Sequence, residues 1–110
     1  MGDIYTNGNW KPNPGSEDAF IDAWTEFAAW GSSKAGAGTL RLLRDVDDPS
    51  RFVSFGDWET LDEARGWKGT AEFKERMAQV LQHCAEFQPS NLREVASARN
   101  GAASATAAVV

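Results

Sequence analysis

The stretch SRFVSFGDWETLDEARGW, residues 50–67, constrains this chain more than any other. It reads as a strand running straight into a helix, with Thr60 and Glu63 forming a capping box at the helix start. Along the strand, Phe52, Ser54, Gly56 and Trp58 fall on one face and Val53 and Phe55 on the other. A strand with one wet face alternates apolar with polar residues. Here both faces carry large apolar side chains, so both need covering, and two of the smallest residues stand between Phe52 and Trp58.

The flanking segments supply one of those covers. Residues 3–11, DIYTNGNWK, read as a strand in which Gly8 marks a bulge rather than a hairpin turn. Beyond PNPGS, Ser16 is placed to cap a helix. On that helix Phe20, Trp24 and Phe27 fall within about 60° of one another, opposite Asp18, Asp22 and Glu26. TLRLLRD and RFVSFGDW follow as an antiparallel hairpin turned by VDDPS. A short helix after Trp58, loosened by Gly66 and Gly69, leads into a second helical stretch over residues 70–85. That stretch places Phe73, Met77, Val80, Leu81 and Cys84 on one face and is expected to end at Pro89, with NLREVAS as the last strand.

The order β-α-β-β-α-β predicts an α+β fold of the ferredoxin-like type, with both helices on one face of a four-stranded antiparallel sheet. The face carrying Val53 and Phe55 is then bare, and a homodimer formed through it is the economical cover. Residues 1–97 are expected to form this domain. Residues 98–110, ARNGAASATAAVV, carry no large core residue until the terminal valines and read as a flexible Ala-rich tail.

Five Trp and six Phe are a heavy load for 110 residues. Each buried aromatic removes about 150–250 Å² from water, roughly 4–6 kcal/mol gross, so these side chains build the core or line a pocket. The formal charge of −5, without a run of Lys or Arg, argues against a nucleic acid or an anionic membrane as partner. Cys84 is alone, so neither a disulfide nor a CxxC metal site can be drawn, and His83 reads as a solvent-side residue rather than a ligand. No metal is expected. No segment approaches a membrane span of about 20 apolar residues and MGDIYTNGNW lacks the pattern of a secretory signal, so the expected compartment is the cytoplasm.

Three segments together, NGNWKPNPGSEDAFIDAW, GAGTLRLLRDVDDPSRFVSFGDWET and WKGTAEFKERM, resemble the antibiotic biosynthesis monooxygenase family of dimeric α+β barrels, over about residues 4–96. The resemblance implies two sheets closing into one barrel at a dimer interface, with a ligand pocket between sheet and helices in each subunit. It also implies oxygenation of an electron-rich polycyclic phenol or hydroquinone by dioxygen, without cofactor, as in aromatic polyketide antibiotic metabolism. In such enzymes an Asn and a Trp four residues apart on the third strand carry much of the chemistry. The matching positions here are Ser54 and Trp58, so the Trp is kept and the Asn is replaced. A family Tyr falls on Ala64 and a family Arg on Lys74. In the haem-degrading relatives a helical Trp matches Trp67, an Asn falls near Asn7 or Gly8, and the haem-ligating His falls on Met77.

Within this frame Ser54 and Gly56 are small between Phe52 and Trp58, and the concavity they leave would be roofed by Trp24, Phe27 and Trp67, with Met77 beside it. The competing reading is that Gly56 marks a bulge or close helix packing and the aromatics fill the core. Trp58 is the expected stacking partner and indole N–H donor to an oxyanion, with Ser54 and Asn7 beside it. Three functions are compatible with these residues. The first is a cofactor-independent oxygenase of a small aromatic substrate. The second is a non-redox binding or cyclising protein on the same dimeric scaffold. The third is a structural or regulatory dimer with no small-molecule site.

Overall fold

Alternation along the first strand sets the layers. In β1 (Ile4–Pro12), Ile4, Thr6, Gly8, Trp10 and Pro12 are buried, and the residues between them face the other way. The computed structural model, which describes residues 2–105, continues with α1 (Glu17–Ser32), β2 (Ala37–Arg44), β3 (Phe52–Trp58), α2 (Leu61–Lys68), α3 (Ala71–Leu81), β4 (Cys84–Arg93), β5 (Ala96–Arg99) and β6 (Ala102–Ala105). β1 to β4 form one antiparallel sheet in the order β2-β3-β1-β4. This is the expected ferredoxin-like fold, with the second helix divided into α2 and α3. The buried residues of β1 and β3 meet α1, α2 and α3 on one side of the sheet.

α1 starts differently from α2 and α3. Ser16 occupies the N-cap of α1 but makes no side-chain cap bond. Its carbonyl accepts the Phe20 N–H at 2.8 Å, and Glu17 and Asp18 supply the negative charge that a helix N-terminus favours. Thr60 caps α2: its hydroxyl accepts from the Glu63 N–H at 3.1 Å and donates to Glu63 Oε1 at 2.9 Å. Thr70 joins two helices, because its hydroxyl accepts the Phe73 N–H of α3 and donates to the Trp67 carbonyl of α2. The orphan groups at two helix ends are thereby satisfied by one side chain.

The C-terminal third departs from expectation at three points. First, α3 stops at Leu81, so Cys84 lies on β4 and not on a helix face. Its Sγ donates to the Val80 carbonyl at 3.6 Å, and burial pushes the thiol up to about 11. Second, Pro89 sits inside β4 rather than ending a helix. Among the described residues β4 is an edge strand paired with β1 alone, where a missing N–H can be accommodated. Third, the segment expected to be a flexible tail pairs, as far as residue 105, into the β5–β6 hairpin. Asn100 and Gly101, at φ of 52° and 81°, supply the two positive-φ residues of a tight hairpin turn. Val109 and Val110 lie outside the described residues.

Gly8 is not at a bulge. It pairs in register with Ser54 on one side and Pro89 on the other, and the shift between β1 and β4 falls between Lys11 and Pro12. Its smallness has another cause: a Cβ there would stand 2.6 Å from Trp10 Nε1 and 2.9 Å from Ser54 Oγ. Gly56 is similarly crowded, by Leu40 Cγ at 2.8 Å and Thr6 Oγ1 at 3.1 Å.

Two stability outcomes follow from this packing. Gly8→Ala should destabilise by about 1–3 kcal/mol, the usual range for overpacking. Gly66→Ala, with nothing within 4 Å of the added methyl, should stabilise by about 0.5–1 kcal/mol through helix propensity. Urea unfolding midpoints of the two variants should therefore move in opposite directions. Every residue of β5 and β6 is exposed, and an isolated two-stranded hairpin is marginal in water. Truncation after Val95 should accordingly leave the melting temperature within a few degrees, whereas a large drop would mean that the hairpin docks on something.

Candidate functional site

Two sets of aromatic rings pack on the helix side of the sheet. Trp67 of α2 meets Phe73 at 4.7 Å, Trp58 at 4.9 Å and Phe27 at 5.4 Å between ring centroids. Trp10 of β1 stacks on Phe87 at 4.0 Å and meets Phe20 at 5.3 Å, and Phe20 meets Phe52 edge-on at 5.1 Å. Among the described residues no ring contact joins the two sets. Between them lies a cavity of about 150 Å³, bordered by members of both.

Each wall of this cavity comes from a different element. β1 and β3 contribute Thr6, Gly8, Trp10, Ser54 and Gly56 as its floor, and β2 adds Leu40. α1 contributes Trp24 and Phe27, and α3 contributes Phe73 and Met77. At the sheet edge β4 adds Phe87 and Pro89, facing Trp67 and Lys68 from α2. Asn7 and Phe55 also border it, although alternation places their side chains on the opposite face of the sheet.

The polar groups of the floor are mostly committed to one another. The Trp10 indole N–H donates to Ser54 Oγ at 2.9 Å, and the Trp58 indole N–H donates to Thr6 Oγ1 at 3.2 Å. The Thr6 hydroxyl in turn donates to the Gly56 carbonyl at 3.4 Å. Behind the floor, Asn7 Nδ2 donates to the Ser54 carbonyl at 3.0 Å and Asn7 Oδ1 accepts from Asn9 Nδ2 at 3.4 Å. Trp67 is the exception: it is 7% exposed, and its indole nitrogen is the buried side-chain polar atom with no hydrogen-bond partner among the described residues. Lys68 is the one titratable side chain in the lining. Its Nζ donates to Asn91 Oδ1 at 2.8 Å, and partial burial lowers its pKa by desolvating the ammonium.

Of the residues singled out in the sequence, Ser54, Asn7, Gly56, Trp24, Phe27, Trp67 and Met77 all border the cavity. Trp58 and Phe52 do not. Trp58 is 1% exposed and lies behind Trp67, with its N–H already used by Thr6. Phe52 packs against Phe20 and beneath the Arg44 guanidinium. Ala64 is fully buried, Lys74 is exposed outside the cavity, and His83 is half-buried and borders a separate surface depression. The sequence reading missed Thr6, Trp10, Leu40, Phe73, Phe87, Pro89 and Lys68 as lining. Strict alternation carried from Gly8 to its neighbours Thr6 and Trp10 would have found two of them. Nothing in the sequence distinguishes Lys68 from a solvated lysine at a helix end.

The sequence model of the antibiotic biosynthesis monooxygenase family matches residues 4–90. A Bordetella bronchiseptica protein assigned to that class is 25% identical and superposes with a TM-score of 0.76, covering 86% of this chain and 99% of its own. A Nitrosomonas europaea protein assigned likewise is 23% identical, with a TM-score of 0.74 over 86% and 93% of the two chains. SnoaB, a cofactor-independent oxygenase from Streptomyces nogalater, shares the fold at 19% identity, with a TM-score of 0.74 over 90% and 96%. No curated protein matches the chain. With the family match spanning both aromatic sets and nearly all of the four-stranded sheet, the chain belongs to the antibiotic biosynthesis monooxygenase family.

Proposed function

We propose that the chain is a cofactor-independent monooxygenase of a small electron-rich phenol or hydroquinone. The observation that carries this reading is the cavity beside Ser54, walled by aromatic rings and about 150 Å³ in volume. An engineered cavity of about that size takes benzene, whereas sites for larger ligands run to about 300–1,000 Å³. The volume therefore favours a substrate of one or two rings over the polycyclic phenol expected from the sequence. A planar ring between the Trp67 and Trp10 sets is stripped of water. Its phenolate, losing hydration, becomes a stronger reductant toward dioxygen. An electron passes from phenolate to dioxygen, the radical pair joins as a carbon-bound peroxide, and its O–O bond breaks. One oxygen stays on the ring and the other leaves as water, so that hydroquinone plus dioxygen gives hydroxyquinone plus water.

A second reading, a non-redox binding or cyclising protein, draws on the hydrogen bonds. The Ser54 hydroxyl already accepts from Trp10, and the Trp58 N–H is already donated to Thr6. Both positions matched to the family's catalytic pair are thus occupied with structural work. The cavity itself weighs against the third reading, a module with no small-molecule site.

An oxygen electrode, run with chelator present, separates the first two readings. Uptake above autoxidation is expected with methylhydroquinone or a naphthohydroquinone and should be slower with a three-ring anthrone. Binding of the same compounds without uptake would favour the non-redox reading. Trp58→Phe removes the donor to Thr6 and should cost about 1 kcal/mol of stability. It should leave kcat/KM within severalfold of wild type, and a folded but inactive variant would restore Trp58 to the chemistry.

The same proposal includes a homodimer. The open face of the sheet carries Leu43 (50% exposed), Leu92 (46%) and Phe55 (36%), with Val53 paired opposite Leu43. A second copy laid on this face would bury that surface. Phe55→Asp places a charge there and should dissociate or unfold the protein. Light scattering showing a wild-type monomer at micromolar concentration would exclude the face-to-face arrangement.

A further inference from the structure

Among the described residues the lining of the cavity contains no carboxylate, no imidazole and no thiol, so Lys68 is the one ionisable group a phenol bound there meets. Lys68, the last residue of α2, borders the cavity where that helix faces β4. Its ammonium has three N–H donors, and among the described residues only the bond to Asn91 Oδ1, a neutral acceptor, is made. Lys68 makes no ion pair among the described residues. The other basic residues near it add positive charge rather than neutralise it. Arg93, two residues beyond Asn91 on β4, pairs with Asp3 at 3.2 Å, and Arg65, one turn back on α2, is exposed. In a protein of net charge −5, a cation without an ion pair among the described residues stands against an apolar cavity.

We infer that Lys68 holds the substrate as its phenolate, with the ring among the cavity's aromatics and the oxyanion at Nζ. The phenolic proton goes to solvent at the cavity edge, and Lys68 keeps its own. This assigns the ionisation step, which the oxygenase reading leaves without a residue, to electrostatic stabilisation rather than to proton abstraction. The preceding residue contributes a second feature: the unpartnered indole N–H of Trp67 belongs to a ring in the same wall. Partial burial already disfavours the charged form of Lys68. An oxyanion beside it offsets that effect, so anion binding and retention of the lysine proton reinforce each other.

The inference rests on the cavity being the substrate site, and its test uses no oxygen chemistry, so it can fail or succeed apart from the oxygenase reading. The probe is 4-nitrophenol, a one-ring phenol whose anion is yellow. Its absorbance is titrated against pH, free and bound, in the full-length protein. In wild type the ionisation midpoint of bound dye should fall by about 1–3 units, the usual effect of an opposite charge at contact distance. Lys68→Met should bring it back to the free value or above, because the remaining wall is apolar. Lys68→Arg should retain most of the downward shift. Melting curves of the variants exclude unfolding as the cause, since a half-exposed lysine at a helix end is not part of the core. The inference is overturned if bound dye titrates like free dye in wild type, if the Met variant keeps the shift, or if wild type binds no dye.

Discussion

The inner face of the sheet depends on two indole-to-hydroxyl hydrogen bonds, Trp10 to Ser54 and Trp58 to Thr6. Each joins β1 to β3 through side chains that would otherwise be unpaired polar atoms in an apolar layer. Leaving one such donor or acceptor unpaired costs about 1–3 kcal/mol, so the pairs are strongly favoured over any rotamer that separates them. They also aim the rings. Trp10 is held over Gly8 and stacks toward Phe87, while Trp58 is held behind Trp67. With both rings fixed in place, the two aromatic sets cannot collapse onto each other, and the space between them remains as the cavity.

The glycines of this layer act as the complement of those bonds. A methyl at Gly8 would enter the Trp10–Ser54 bond, and one at Gly56 would strike Leu40 and the Thr6 hydroxyl that receives Trp58. On α1, a methyl at Gly31 would stand 2.7 Å from Trp67 Cζ2. The question raised by small residues between Phe52 and Trp58 is therefore answered by two needs at once. Ser54 is small and polar because it receives an indole N–H, and Gly56 is small because a neighbouring strand's leucine needs the room. The cavity is a consequence of both.

The sheet and helices were legible in the sequence because their signals are local and redundant. Strand β3 is a short β-branched and aromatic run bounded by turn residues, α1 concentrates its aromatics on one side, and Thr60 with Glu63 marks the start of α2. The end of α3 was not legible. The helical run of apolar residues continues in phase from Phe73 through Cys84, and only pairing with β1, a contact distant in sequence, turns Cys84–Arg93 into a strand. The Asn100-Gly101 turn was a readable signal that the low complexity around it obscured. For the site, alternation and helix phase found the apolar lining but not the state of its polar groups. A free and a donated indole N–H look identical in sequence. Trp58 was expected in the chemistry because it matches the Trp of the family's strand pair, whereas among the described residues Trp67 carries the unpaired donor.

The two faces of the sheet are also less independent than a layered description suggests. Asn7 and Phe55 pair in register on the open face, and both border the cavity on the other side. Asn7 reaches across to the Ser54 carbonyl, and the same serine holds Trp10 through its hydroxyl. A body resting on the open face thus acts on Asn7 within one hydrogen bond of the cavity floor. If that body is a second copy of the chain, association fixes the Asn7–Ser54–Trp10 series from behind while the substrate meets it from in front. Ordering the floor before the substrate arrives lowers the entropy lost on binding. Under that arrangement Phe55, exposed on the open face and bordering the cavity, lies where the second copy and the site meet.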